Sequence, residues 1–207
     1  GPRPEGEAIV VHEDSPIQNV RDLRGKKVAL NKGSNVHYLL VSALEQEGLT
    51  LDDIEPVYLT PGDARPAFTN KSVEAWAIWD PYYAAAETDL HVRTIVNAEG
   101  ITSNREFYFA HKQFVEENSQ EVKIVLEELE KTADWINTHP DEAAVLLSEE
   151  IGMEMKPVKK AIERAKYGIE PIDPSVINDQ QNIADTFSRI NLIPKKIDIQ
   201  RVIWSEN

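Results

Sequence analysis

Lys27-Val28-Ala29-Leu30-Asn31-Lys32-Gly33-Ser34-Asn35 is the stretch in which the hydrophobic period of the chain changes. Its first five residues form a short β-prone run. Beyond it, Val36, Leu39, Leu40, Ala43 and Leu44 recur at helical spacing until Gly48. The reading is a strand, a Gly-Ser turn and a helix, with Ser34 or Asn35 as the natural N-cap and Gly48 as the stop. The alternation continues with a strand at Pro56–Leu59, a short helix near Asp63–Phe68, a strand at Val73–Ile78, a helix near Pro81–Glu87 and a strand at Val92–Val96. Strands alternating with helices predict a parallel sheet with right-handed crossovers.

Working outward, Glu7–His12 (EAIVVH) reads as one more strand, followed by the polar turn Glu13-Asp14-Ser15-Pro16 and a helical turn at Val20–Leu23. On the other side the composition changes. Phe107-Tyr108-Phe109-Ala110 predicts a single strand, after which Val122, Leu126, Leu129, Ala133 and Ile136 mark one amphipathic helix with Ser119 as cap and His139-Pro140 as stop. Further helices fit Asp141–Glu150, Lys156–Lys166 and Asp173 to about Ile190, the last with Asp173 as N-cap and Pro174 at the first helical position. The chain thus divides into an α/β unit near 26–98 and a helical remainder near 105–207, joined by strands at 7–12 and 106–111. Apolar helices without a sheet of their own must pack on something else.

Composition narrows the function. Over 207 residues, 41% hydrophobic and 28% charged side chains describe an ordinary folded domain rather than a disordered tail. The formal charge of −14, from 36 acidic against 22 basic residues, disfavours nucleic acid, and the densest basic cluster, Arg21, Arg24, Lys26 and Lys27, is short and interrupted by Asp22. No window approaches 18 consecutive apolar residues, and Gly1-Pro2-Arg3-Pro4-Glu5-Gly6 has no apolar signal core; a signal already removed is compatible with this. With no cysteine, disulfides, zinc-thiolate sites and thiol nucleophiles are excluded from these residues.

Three turns carry candidate chemistry. At Lys32-Gly33-Ser34-Asn35 a strand ends where a helix begins, so backbone N–H groups and the helix dipole suit an anion, with Ser34 and Asn35 adding short donors; the alternative is a plain N-cap. At Trp76-Ala77-Ile78-Trp79-Asp80-Pro81-Tyr82 alternation points Trp76 and Ile78 to one face and Ala77 and Trp79 to the other. Trp76 reads as core, Trp79 and Tyr82 as either core or ligand wall, and Asp80 as a cap. At Thr60-Pro61-Gly62-Asp63-Ala64-Arg65, Asp63 is the expected cap and Arg65 either reaches an anion or pairs with Asp63. The histidines His12, His37, His91, His111 and His139 show no metal-ligand spacing, no nucleophile elbow occurs, and Glu127, Glu128 and Glu130 read as a solvated face. A binding module without catalytic residues, metal or cofactor is expected.

Together, Asp22-Leu23-Arg24-Gly25-Lys26-Lys27, Lys32-Gly33-Ser34-Asn35, Asp63-Ala64-Arg65, Trp76-Ala77-Ile78-Trp79-Asp80-Pro81-Tyr82 and the C-terminal Leu192-Ile193-Pro194-Lys195 resemble the periplasmic aliphatic sulfonate-binding proteins of ABC transporters, within a group that also takes taurine and nitrate. The resemblance implies an α/β, two-lobed periplasmic-binding-protein-like (type II) fold. It assigns 1–25 to a hinge crossing, 26–98 to the second lobe, and 99–207 to a return hinge strand and the helical part of the first lobe. Such proteins begin with a further stretch that supplies strands to the first lobe, so that lobe is expected to be incomplete here, which would favour self-association or exchange of elements between copies.

The implied ligand is a sulfonate anion and the implied partner an ABC permease, in an extracytoplasmic location. Lys32, Gly33, Ser34, Asn35, Asp63, Arg65, Trp79, Asp80 and Tyr82 are the expected ligand-binding set. Gly33, Ser34 and Asn35 would donate to the sulfonate oxygens while Trp79 and Tyr82 pack its carbon tail. The same fold family also resembles enzymes, a thiamine-pyrimidine-forming branch and a cysteine-dependent desulfinase, and effector-sensing domains of regulators.

Overall fold

A computed structural model describes residues 1–204. Five strands, β1 (Glu7–His12), β2 (Lys27–Leu30), β3 (Glu55–Tyr58), β4 (Ala75–Trp79) and β5 (Val92–Asn97), form one sheet in the order β3-β2-β4-β1-β5. β2 runs parallel to β3 and β4, as the alternation predicts. β1 is antiparallel to both β4 and β5, so the sheet is mixed rather than parallel. The reason is topological: β1 reaches the sheet without a crossover helix of its own, and an antiparallel strand needs none. The segment expected as a hinge crossing is therefore at the same time an interior strand, paired on both sides.

Helix α1 (Asn35–Gln46) covers one face of this sheet, α2 (Pro61–Thr69) and α3 (Tyr82–Asp89) the other. Alternation along each strand decides the partners. Ile9, Val11, Ala75 and Ala77 pack with Val36, Leu39, Leu40 and Leu44 of α1, whereas Ala8, Val10, Trp76 and Ile78 pack with Ala64, Phe68, Tyr83 and Ala86. The helical stripe read from the sequence is fully buried. Gly48, at φ 70°, turns the chain back after α1, a left-handed conformation that favours glycine.

The remainder is helical: α4 (Lys112–Glu117), α5 (Ser119–Thr138), α6 (Pro140–Ile151), α7 (Met155–Arg164) and α8 (Pro174–Arg189). Asp173 caps α8 through Oδ1, which accepts the Val176 N–H at 2.9 Å, with Pro174 at the first helical position. The strand expected at 106–111 is not formed. Phe107-Tyr108-Phe109-Ala110 has strand-like residues but no partner among the described residues, and Phe109 is 92% exposed; β propensity yields a strand only where a ladder and a covering layer exist. α4, absent from the sequence reading, follows directly.

A small cluster of Ala143, Ala144, Val158 and Ile162, flanked by Trp135 and Ile136, is the helical half's own core. Tyr108, Phe114, Ile124, Val125, Leu146 and Ile151 in this half remain exposed.

Candidate functional site

The carboxyl ends of β2 and β4 and the amino end of β1 lie at the same edge of the sheet, because β1 is antiparallel to β4 and Glu7 is the partner of Trp79. Lys32-Gly33-Ser34-Asn35, Trp79-Asp80-Pro81-Tyr82 and Gly6-Glu7 therefore converge.

At the first of these turns Gly33, at φ 80°, adopts a left-handed conformation, and its amide donates to His37 Nδ1 at 3.0 Å. His37 is buried, and burial followed by the nearby Lys32 charge lowers its pKa. Both effects favour the neutral ring, which is what Nδ1 needs to accept. Ser34 is the N-cap residue, yet its hydroxyl donates back to the Asn31 carbonyl at 2.8 Å rather than capping the helix. The Asn35 side-chain amide donates to Asn104 Oδ1 at 3.1 Å, and the Asn104 side chain in turn donates to the Arg3 carbonyl at 2.9 Å. Within the first turn of α1, the backbone amides without a backbone acceptor among the described residues are those of Asn35 and Val36. The cradle is thus narrower than the sequence suggests, with two free amides in the first turn of α1. Lys32 lies to one side, its ammonium 5.1 Å from the centre of the Tyr58 ring.

Trp79 is half-buried and stands edge-on to the partly exposed Tyr82, ring centres 6.2 Å apart. Trp76 is core, 2% exposed, on the α2–α3 face, whereas Trp79 packs against the clusters on both faces. Asp80 accepts the Ala84 amide at 3.0 Å, so it does cap the start of α3, but it also takes Arg164 Nη1 of α7 at 3.1 and 3.2 Å. Arg164 Nη2 binds Glu87, and the guanidinium lies 4.3 Å from the centre of the Tyr83 ring. Burial outweighs Arg164 and moves the Asp80 carboxyl up to about 6.

The turn that carries Asp63 and Arg65 lies at the same edge, because β3 runs parallel to β2 and α2 follows its carboxyl end, but both side chains are engaged within their own face of the sheet. Asp63 accepts the Thr60 hydroxyl at 2.7 Å and its amide donates back to Thr60 Oγ1, so Thr60 rather than Asp63 is the cap of α2. Arg65 pairs with Asp89, at 2.7 Å, and not with Asp63. The guanidinium one turn into α2 reaches the far end of α3, its neighbour on that face of the sheet.

A feature absent from the sequence reading is Glu7. It is fully buried, on the α1 face of the sheet, beside the Asn35 amide, and neither carboxylate oxygen has a hydrogen-bond partner among the described residues. Burial pushes its pKa up to about 8, with the Asn35 side-chain amide working in the opposite direction. The signal was present in EAIVVH, where a period of two places Glu7 on the same face as Ile9 and Val11.

The family model described as NMT1/THI5 like matches residues 5–143. The chain belongs to the NMT1/THI5-like family. It is 39% identical over 204 residues to a protein of Escherichia coli (strain K12) named "Putative aliphatic sulfonates-binding protein", covering 98% of this chain and 64% of that one. Against the protein of the same name in Bacillus subtilis (strain 168), identity is 34%, covering 94% and 59%. The chain thus spans about three fifths of the length of these relatives. The crystal structure of the periplasmic aliphatic sulphonate binding protein SsuA from Escherichia coli superposes with a TM-score of 0.96 at 38% identity, over 100% of this chain and 68% of that one. The alkanesulfonate-binding protein SsuA from Xanthomonas axonopodis pv. citri, bound to MOPS, gives 0.89 at 32%, over 98% and 71%. The α/β periplasmic-binding-protein fold expected from the sequence is therefore the fold of this chain.

In this NMT1/THI5-like chain the Glu7 carboxyl makes stability depend on pH. A carboxyl whose pKa rises from about 4.5 unfolded to about 8 folded holds its proton more tightly in the native state. Its contribution is fully present below the unfolded value and is lost as pH rises through the folded one. Urea unfolding is expected to show a loss of about 2 kcal/mol between pH 6 and pH 8 that Glu7→Gln abolishes; an unchanged slope in the variant would mean that this carboxyl is not buried in its acid form.

Proposed function

We propose that this chain carries the anion-binding side of a solute-binding protein that captures an aliphatic sulfonate outside the cytoplasm and delivers it to the permease of an ABC transporter. The observation that carries this reading is the convergence, at one edge of the sheet, of two unpaired first-turn amides and an aromatic pair, in a chain similar over almost its whole length to sulfonate-binding relatives. A sulfonate stays ionised at physiological pH, so fixed neutral donors at a helix N-terminus suit it without a titrating cation. Trp79 and Tyr82 supply the apolar surface for an alkyl tail. The net charge of −14 acts at long range, where salt screens it over about 8 Å, and leaves the local dipole to decide. Closure over the ligand is the signal that a permease reads.

Thermal unfolding tests this directly. Pentane-1-sulfonate at one hundred times its dissociation constant is expected to add about 2.7 kcal/mol of stability, whereas the same concentration of chloride adds none; no shift with any alkanesulfonate would reject the proposal for this chain. Trp79→Ala is expected to weaken pentane-1-sulfonate about tenfold, since losing contact with a few methylenes costs about 1.4 kcal/mol. Methanesulfonate, which has almost no tail, should be affected much less when both affinities are measured by isothermal titration.

A further inference from the structure

We infer that Glu7 is itself a ligand-recognition residue of this site, its carboxylic acid O–H donating one hydrogen bond to an oxygen of the bound anion beside the Asn35 and Val36 amides. The inference rests on the sulfonate reading above and specifies what the site presents to the anion.

Three observations on independent parts of the chain support it. The carboxyl sits at the first residue of β1, directly across the strand pair from Trp79 and on the face covered by α1, which is the face of the anion cradle. It is fully buried with both oxygens unpartnered among the described residues, next to the exposed Asn35 side chain. The amides of Asn35 and Val36 complete a set of donors at the start of a twelve-residue helix.

A buried carboxyl with no cation beside it, and only the Asn35 side-chain amide as a neighbouring donor, is costly as an anion and is held neutral. A neutral carboxyl brings an O–H that must find an acceptor, and a helix N-terminus offers none, since its groups are donors too. A ligand oxygen satisfies all three donors at once. Opening the Asn35–Asn104 hydrogen bond gives the anion access, a step worth about 1 kcal/mol.

The charged and titratable groups around Glu7 are already engaged elsewhere. On β4, α3 and α7, Asp80 and Glu87 share Arg164, with Lys160 also on Glu87. Arg3, in the short turn before β1, pairs with Glu106 at 3.3 Å and stacks on Tyr167. In α1, His37 accepts from Gly33, and Lys32 rests over Tyr58. None of these charges shifts the Glu7 carboxyl, whose pKa of about 8 is set by burial.

Isothermal titration with pentane-1-sulfonate at pH 7.0 and pH 9.5 decides the matter. With the acid form required for binding, the unmutated chain is expected to bind about 30-fold more weakly at pH 9.5, the ratio of protonated fractions for a group that titrates near 8. Glu7→Gln, which keeps a donor that does not ionise, is expected to flatten this dependence. Glu7→Leu, which keeps the burial and removes the donor, is expected to weaken binding at least tenfold at pH 7.0, with circular dichroism confirming a folded variant. Equal affinity at both pH values in the unmutated chain, or a pH dependence that persists in Glu7→Gln, overturns the role of Glu7 and leaves the sulfonate reading intact. Absence of binding at pH 7.0 overturns both.

Discussion

Arg164→Leu is expected to lower the unfolding free energy by about 3 kcal/mol, the low end of what removing one partner from a buried ion pair costs. Arg164 holds Asp80 at 3.1 Å, binds Glu87, and lies over Tyr83; its side chain is 11% exposed, against 15% for Asp80 and 21% for Glu87. Leucine leaves two carboxyls near each other with only Lys160, 3.2 Å from Glu87, to offset them. The loss should be larger at pH 8 than at pH 5, because Asp80, already raised to about 6 with Arg164 in place, escapes the penalty by protonating. Urea unfolding at the two pH values measures this. A loss below about 1 kcal/mol at both would place the network among surface ion pairs of little consequence. The network also joins the two halves of the chain, since α7 supplies the guanidinium and β4 and α3 the acids. The variant should therefore loosen the docking of α7 beside the very turn that holds Trp79 and Tyr82.

Phe68→Ala carries the largest expected penalty, about 4 kcal/mol, from lost transfer energy plus the cavity left behind. Phe68 is fully buried on the α2–α3 face, stacked on His12 with ring centres 4.1 Å apart and tilted against Trp76 at 5.9 Å. Its carbonyl also accepts from His12 Nε2 at 2.8 Å, so the backbone of α2 is tied to β1 at the same point. The sheet behind it is built from Ala8, Val10 and Trp76, which have little freedom to collapse into the space. Phe68→Leu, which refills most of the volume, should cost much less. Comparable losses for the two variants in chemical denaturation would show that ring stacking, not volume, dominates this face.

Much of the fold and part of the site were legible locally. The change of period at Asn31–Asn35 places β2 and α1, the alternation in Ala75–Trp79 buries Trp76 with α2 and α3 while Trp79, at the end of the strand, packs against the clusters on both faces, and Asp173-Pro174 starts α8. Each depends on residues within about two turns or one strand of each other, which is the range over which periodicity and capping act. Phe107-Tyr108-Phe109-Ala110 shows the limit: it is locally strand-like and finds no ladder.

The sequence by itself determined the α/β class, most of the elements, the Gly-Ser turn and the aromatic turn, because side-chain period and backbone preference are local properties. Only the tertiary structure decided that β1 enters the sheet antiparallel, that Arg65 turns to Asp89, that Arg164 closes on Asp80 from 84 residues away, and that Glu7 is buried beside Asn35 without a partner. The physical reason is that burial of a charge and the identity of its partner depend on which distant segments the packed core brings together, and no short-range pattern in the chain encodes that distance.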